Sequence, residues 1–505
     1  MRVADLFRRQ AQARGDETAF VCGQSRVSWD QIDRRTDALA ETLASHLQPG
    51  ERLGVLTRGC HRHWEALIAA SKAGLIAVPV NFRWLAHEVE QVLRDCEARA
   101  LVLDTTLASA DSLISAGQRV TLGYPWASGD GALDYDAHVT GPARAPTRPA
   151  APVNVVGYTS GTTGRPKGAM LTQESAILSA FWFATLFGLR AGDCMLACMP
   201  VYVYRGGAAG LAPAVVGART VMMDFEAGAV LDAIERESVT HIILAPLMVE
   251  RLLEHPGLSR RSLRSLRGIW IGGAPSSPTV IEKLQALADA DVGSVYGMTE
   301  ATGIASMVWP RSKGAAELRA AGRQGPLMDV RLVADDGTQP EAGQPGELLV
   351  RGQTVMAGYW PDRGSGLQDG WYATGDFGYR DEQGLLYLVD RRVDIINSGG
   401  LNVYTLEVEQ ALLNHPEVLE CAVVGAPDPV YGESVVAFVR LTAGRALQED
   451  QLKSHCRRLL AGYKTPRHFI NVEEFPRNVM GKVDKSSLRA QLTPVDTGQE
   501  RSFRP

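Results

Sequence analysis

The chain has 505 residues, 45% of them hydrophobic and 22% charged, with a formal net charge of −5 at pH 7. That length exceeds what one hydrophobic core serves, so at least two domains are expected, and the charge balance argues against nucleic acid as a partner. No apolar run is long enough to span a bilayer. The opening MRVADLFRRQ lacks the apolar core of a secretory leader, and seven scattered cysteines without a metal-like CxxC pair suit a reduced, cytoplasmic setting.

In chain order, ERLGVLTRG reads as a strand, HWEALIAASKAG as a helix and LIAVPVNF as a second strand. RALVLD and TLGYP are further short apolar segments bounded by turn signals, and Gly141–Pro152 is a polar, proline-laden linker. Cys194 and Cys198 flank an apolar stretch and read as buried thiols rather than ligands. HIILAP and GIWIGGAP repeat the strand-then-loop pattern. Strand–helix alternation predicts an α/β protein with largely parallel sheets. From about Val330 to Val389, short strands and glycine turns predict an antiparallel β subdomain. After Asp390 comes a small α+β unit: a helix over 406–413, the strands ECAVVGAPD and VVAFVRL, and the helix QLKSHCRRLL. The expected division is a large domain over 1–390, a small one over 391–492 and a polar, disordered tail over 493–505. The sequence leaves open whether the chain forms a homo-oligomer.

The densest chemical signal is Tyr158-Thr-Ser-Gly-Thr-Thr-Gly-Arg-Pro-Lys-Gly168. Gly161 and Gly164 permit a tight turn whose N–H groups point at an anion, and the hydroxyls of Thr159, Ser160, Thr162 and Thr163 add donors. Lys167 supplies a mobile positive charge. The spacing is not that of a Walker A loop, and a plain polar surface loop leaves so dense a cluster unexplained.

This string resembles the signature loop of the adenylate-forming superfamily, which includes acyl-CoA synthetases, nonribosomal peptide adenylation domains and beetle luciferases. Further motifs follow in that family's order, from Leu6 to Leu492. Gly272, Gly273, Ala274 and Pro275 resemble the loop lining the acid and adenine pocket. Tyr296, Gly297 and Met298 lead to Thr299, which by resemblance contacts the α-phosphate, and to Glu300, which holds magnesium. Thr374-Gly-Asp376 resembles the ribose-binding segment, joined by Arg391. Ser398, Gly399 and Gly400, followed by Asn402 and Tyr404, resemble the loop of the second half-reaction. Lys482 matches the lysine that stabilises the transferring carboxyl and α-phosphate. The resemblance implies ATP, Mg2+ and CoA, a small-molecule acid as substrate, and a mobile C-terminal domain.

The residue types suit that chemistry. A carboxylate attacking an α-phosphate sets two anions against each other, so catalysis must neutralise charge and align reactants. A carboxylate such as Glu300 is a hard ligand for magnesium. Lys482 is a compact point charge. Asp376 accepts from both ribose hydroxyls when ionised. Taken alone, Glu300 and Asp376 would read as solvated loop carboxylates; the surrounding motifs change that reading.

Some positions depart from the family pattern. Val203 stands where CoA ligases carry a histidine, with Arg205 just beyond; Arg205 is either a solvent-facing loop residue or a partner for a polar group on the substrate. The junction Asp390-Arg-Arg-Val-Asp394 has Val393 at the pivot, where the family has Lys or Asp, and Leu401 and Thr405 replace Glu and Pro. Trp182, Tyr202 and Tyr204 are lining candidates beside Gly272 and Gly273, and they lean towards an aryl acid, although aromatic residues are as often packing residues. The leading reading is an acid–CoA ligase. A second keeps adenylation but changes the acid or acceptor: an amide ligase, a carrier-protein ligase or a nitrite-dependent aryl-amine diazotase. A third, of another class, is an inactive nucleotide-binding homologue, against which the intact Lys482, Glu300 and Asp376 argue.

Overall fold

The computed structural model describes residues 1–107, 113, 120–125, 132–141, 143–159, 166–202, 204–260, 262–273, 278–307, 320–334, 336–361, 366–398, 401–442, 444–477 and 482–492, with the side chains of 204–209, 278 and 279 left aside. It divides into two compact units, Met1–Val330 with Leu349–Ala373, and Arg331–Leu348 with Thr374–Pro505. Residues 331–348 and 374–390 thus group with the C-terminal part.

In the first unit the described strands form two mixed sheets whose central pairings are parallel. One places Cys194–Ala197, His241–Leu244, Gly268–Gly272 and Asp291–Met298 side by side. The other places Arg52–Leu56, Ile76–Pro79, Ala98–Asp104 and Val120–Tyr124 in parallel register. Nearly every residue of these strands is buried, as expected of sheets covered on both faces. Helix His61–Ala73 is buried almost all round, which its run of alanines permits, and ends on Gly74 in the left-handed region (φ 72°). Its buried Lys72 ammonium lies 2.5 Å from both Asp33 and Asp37, so the charge is paired rather than stranded.

The stretch read as a linker is strapped down. Arg148 donates to the carbonyl oxygens of Leu47 and Ala44, each at 2.6 Å. Cys194 and Cys198 are buried as read, and burial pushes the Cys198 thiol up to about 12, so it holds no thiolate at neutral pH. No helix among the described residues is long and apolar enough to cross a membrane.

The second unit contains the antiparallel pairing of the strand that continues through Asp376–Arg380 with Leu386–Arg391. Beyond it, the long antiparallel pair Val418–Asp428 and Gly432–Leu441 carries a third strand, His468–Asn471, in parallel register. Helices Thr405–Leu413 and Glu449–Leu459 pack on this sheet through Val408, Leu412, Leu452 and Cys456, the α+β arrangement read from the sequence. The 493–505 tail lies outside the described residues.

Candidate active site

Strands Gly268–Gly272 and Asp291–Met298 run parallel with Gly272 opposite Val295, so their carboxyl ends open on the same side, the usual place for a ligand in such sheets. The second strand turns back as Gly303–Met307 through a 3-10 turn, Thr299–Ala301. The turn is tight: a Cβ on Gly297 would stand 1.7 Å from the Gly303 carbonyl oxygen, so no side chain fits at 297. Thr302 takes a left-handed backbone (φ 51°), and its N–H donates to the Thr299 carbonyl at 2.9 Å.

Glu300 sits in this turn with only 9% exposure. Its Oε1 accepts from the Thr159 hydroxyl at 3.1 Å and from the Tyr359 hydroxyl at 3.2 Å. Thr159 ends strand Val153–Thr159 and faces Lys167 across the hairpin that carries the threonine-rich loop. The stem is fixed from outside: the Tyr158 hydroxyl donates to Asp95 at 2.6 Å, and Trp360 Nε1 donates to the Asp95 carbonyl at 3.0 Å. Lys167 Nζ stands 5.5 Å from the Tyr359 ring centre, within cation–π range. Thr159 and Lys167, paired in one hairpin, and Glu300, 141 positions beyond Thr159, are therefore brought together around Tyr359. Ser160, Gly161, Thr162, Thr163 and Gly164 lie outside the described residues.

An apolar cavity opens beside the hairpin of Asp291–Met298 and Gly303–Met307, lined by Phe183, Met199, Ile243, Gly272, Gly273, Val295, Gly297, Gly303 and Ile304. Its space is about 20 Å3, room for one water. Gly272 and Gly273 line it as read. Phe183 and Met199 are among its lining residues, whereas Tyr202 meets Phe82 edge-on, ring centres 5.5 Å apart, and Trp182 packs by Gly325. Tyr204 and Arg205 open helix Tyr204–Val216, so Arg205 has a helical rather than a loop backbone. The side chains of Tyr204 and Arg205, with Val203, Ala274 and Pro275, lie outside the described residues. Tyr296 and Met298 lie in the strand leading to the turn, and Thr299 opens the turn itself.

In the second unit Asp376 and Arg391 stand opposite each other in register, and Arg391 Nε donates to Asp376 Oδ1 at 2.9 Å. The Thr374 hydroxyl ties this segment down: it donates to the Leu348 carbonyl at 2.8 Å and accepts from the Asp376 N–H at 3.0 Å. Ser398 is buried at the end of a short strand and pairs with Leu401 of the next; Gly399 and Gly400 lie outside the described residues. Lys482 is half-buried in a loop closed by an antiparallel bridge between Arg477 and Val483 and by Asp484 N–H donating to the Pro476 carbonyl at 2.8 Å.

The donor set fits magnesium. Glu300 offers a carboxylate whose hydrogen bonds among the described residues all fall on Oε1, and no group of three or more His, Cys, Asp or Glu residues converges among them to cage an ion. One carboxylate completed by water and substrate phosphate oxygens is how magnesium is commonly held.

A family model for the AMP-binding enzyme matches residues 7–360, and one for the AMP-binding enzyme C-terminal domain matches 407–482. An indoleacetate–CoA ligase of Aromatoleum aromaticum is 33% identical, covering 99% of this chain and 100% of its own. An amide bond synthetase of Marinactinospora thermotolerans superposes with a TM-score of 0.89 at 29% identity, over 98% of this chain and 100% of that one. The o-succinylbenzoate coenzyme A synthetase of Bacillus subtilis, solved with ATP and magnesium ion, gives 0.83 at 29%, over 96% and 98%. With both halves of the chain matched, and with Thr159, Lys167 and Glu300 brought together in the first unit, the chain belongs to the AMP-binding enzymes and is an ATP-dependent adenylate-forming ligase.

Proposed function

We propose that the chain activates a small, preferably aryl or aryl-alkyl, organic acid as its adenylate and then passes the acyl group to coenzyme A. The observation that carries this is the junction of Thr159 and Glu300 through a 3.1 Å hydrogen bond, in the hairpin whose glycines line an apolar cavity. On this reading it joins the stem of the threonine-rich loop, the carboxylate for the metal and a narrow apolar cavity that must widen to admit an acyl group. Met199, with its flexible thioether, adapts the narrow cavity to the substrate.

In the first step a carboxylate oxygen of the acid bonds to the α-phosphorus, and the bond to the bridging oxygen breaks, so pyrophosphate leaves with the electron pair. The threonine-rich loop and Lys167 hold the leaving group, and Thr299 meets the α-phosphate. Asp376, oriented by Arg391, takes the ribose hydroxyls. Lys482 offsets charge on the reacting carboxyl and α-phosphate, a preorganised electrostatic role. When bound, magnesium neutralises phosphate oxygens, and Glu300 is the residue that holds it. In the second step the CoA thiol loses its proton to water and its sulfur bonds to the carbonyl carbon, while the bond from that carbon to the phosphate oxygen breaks and AMP leaves with the electron pair, with the Ser398–Gly400 loop serving this step. The segment from 391 onward is the mobile domain. Seven free cysteines support a cytoplasmic setting.

A second reading transfers the acyl group to an amine. Similarity to the amide bond synthetase over nearly the whole chain favours it, as do Val393 and Leu401 at positions the acceptor step uses. Pyrophosphate release over a panel of aryl and alkyl acids, with CoA, with amines or with neither, separates the two readings. Acid-independent ATP hydrolysis alone, with no acyl product, would overturn both.

A further inference from the structure

Tyr359 carries no role in the reading above, yet it touches both charged members of the site. Its hydroxyl donates to Glu300 Oε1 at 3.2 Å, and its ring lies 5.5 Å from Lys167 Nζ. The hydroxyl is also 2.9 Å from that of Tyr372, across a T-shaped ring pair. A phenol has one proton to give, so with that proton on Glu300 the Tyr372 hydroxyl donates to Tyr359. The Tyr359 backbone is fixed as well: strand Tyr359–Trp360 pairs with Gly168 and Ala169 at the base of the threonine-rich hairpin. Its neighbour Trp360 lies under Arg52 and bonds to Asp95, which also holds Tyr158.

We infer that Tyr359 is a positioning residue for ATP–magnesium binding: its hydroxyl, oriented by Tyr372, aims the Glu300 carboxylate, while its ring holds the Lys167 ammonium. The inference rests on the adenylate-forming reading for what Glu300 and Lys167 bind. Two donors, Thr159 and Tyr359, share Oε1, which orients the carboxylate and leaves Oε2 without a hydrogen bond among the described residues. The two arms of Tyr359 are separable by substitution. Phenylalanine keeps the ring under Lys167 and removes the hydroxyl; leucine removes both.

The test measures binding, not turnover. ATP affinity of the full chain is determined by calorimetry with and without magnesium, and Mn2+ binding in the presence of ATP is followed by electron paramagnetic resonance. Tyr359→Phe is expected to weaken Mn2+ binding by about tenfold, the usual worth of a hydrogen bond to a charged group, while metal-free ATP affinity holds. Tyr359→Leu is expected to weaken both. Tyr372→Phe is expected to shift Mn2+ binding in the same direction by a smaller factor. Unchanged Mn2+ affinity in Tyr359→Phe, or an equal loss of metal-free ATP binding, overturns the inference, provided the melting temperature matches the parent. If Tyr359→Phe melts early, Tyr372→Phe, which leaves Tyr359 in place, decides between the same outcomes. A parent protein that binds no ATP would overturn the adenylate-forming reading instead, so the two failures are distinct.

Discussion

Thr405 donates both its backbone N–H and its hydroxyl to the carboxylate of Asp390, the hydroxyl to Oδ1 at 3.1 Å. Proline, the family's residue at this position, supplies neither donor. Lys485 Nζ adds a 2.6 Å bond to the Thr405 hydroxyl oxygen and lies 2.8 Å from Glu409 Oε1, which also accepts from the Val423 N–H. The cluster ties the start of the 390–394 segment to two helices. Thr405→Val keeps the shape and the N–H but deletes the hydroxyl, leaving Asp390 and Lys485 short of one partner each. The expected cost is about 1–3 kcal/mol, read as a lower denaturation midpoint with an unchanged slope. A midpoint equal to the parent's would mean the hydroxyl is redundant.

Asp390 gives this cluster a pH signature. Burial raises its carboxyl to about 6, against Lys485, the Thr405 N–H and the Arg391 N–H, which lower it, and with Asp394 adding to the rise. The folded value lies above the ordinary aspartate value. The folded chain therefore takes up the proton more readily, and the associated stability is fully present below about pH 4 and lost as pH rises through about 6. Lys485 is shifted up as well: burial opposes its charge, and Glu409, Asp394 and Asp390 more than compensate. Its share is lost only above the ordinary lysine range. Asp390→Asn removes the titration, so the difference in melting temperature between parent and variant should change between pH 4 and 7 and be level above. A constant difference across that window would contradict the assignment.

Gly297 tests the turn that presents Glu300. An added Cβ would fall 1.7 Å from the Gly303 carbonyl oxygen and 2.9 Å from Ile304 Cα, both backbone atoms of the paired strand. Neither can move without breaking the register of Gly297 with Ile304. Gly297→Ala should therefore cost roughly 1–3 kcal/mol as an overpacking change and should also reduce acid-dependent pyrophosphate exchange, because Glu300 follows three residues later. Full stability with lost exchange, or the reverse, would separate the turn from the carboxylate it carries.

Much of this was legible in the sequence because it is local. Helix Thr405–Leu413 lies within one residue of its predicted start, and the strands GIWIG and HIIL carry their burial in their own apolar runs. Asp376 and Arg391 are linked in the sequence by resemblance alone, and the antiparallel pairing of two nearby strands sets them face to face. Tyr359 was not legible. Its importance comes from an edge strand pairing with residues nearly two hundred positions earlier, and nothing around it in sequence marks a tyrosine of that kind. Most of the cavity wall was not legible either: Phe183, Met199 and Ile243 come from separate stretches of the chain, and no local pattern in the sequence joins them. The Thr405 substitution was visible, but its partner fifteen residues away was not.

Lys482→Ala should abolish adenylate formation and leave ATP binding in place. The lysine sits in a loop closed by its own backbone bonds, so removing the ammonium should not unfold the hairpin. On the proposed reading nucleotide affinity rests on the threonine-rich loop, Asp376 and the metal, so the loss is expected in the chemical step. Calorimetric ATP binding together with single-turnover adenylate formation checks it. Adenylate made at near the parent rate would remove Lys482 from the reaction.

The acceptor step turns on Val393. Its neighbours are held: Arg392 pairs with Glu347 at 2.8 Å, Asp394 pairs with Arg489, and the Asp394 N–H donates to the Arg391 carbonyl at 2.8 Å. Val393 itself is 57% exposed and brings no polar group to either conformation of the junction. Its β-branch also favours extended backbone more than the family's Lys or Asp does. A conformational bias of about 1.4 kcal/mol shifts populations tenfold, enough to slow one half-reaction and spare the other. Adenylation is therefore expected to be fast and CoA transfer the slower half, and Val393→Asp is expected to speed the transfer without changing adenylation. Forming the adenylate in a single turnover, adding CoA and following the thioester by mass spectrometry measures both rates. Rapid, complete thioester formation in the parent would show that the valine imposes no bias. An adenylate that persists beside CoA in parent and variant alike, yet is consumed by an amine, would move the assignment to the amide-forming reading.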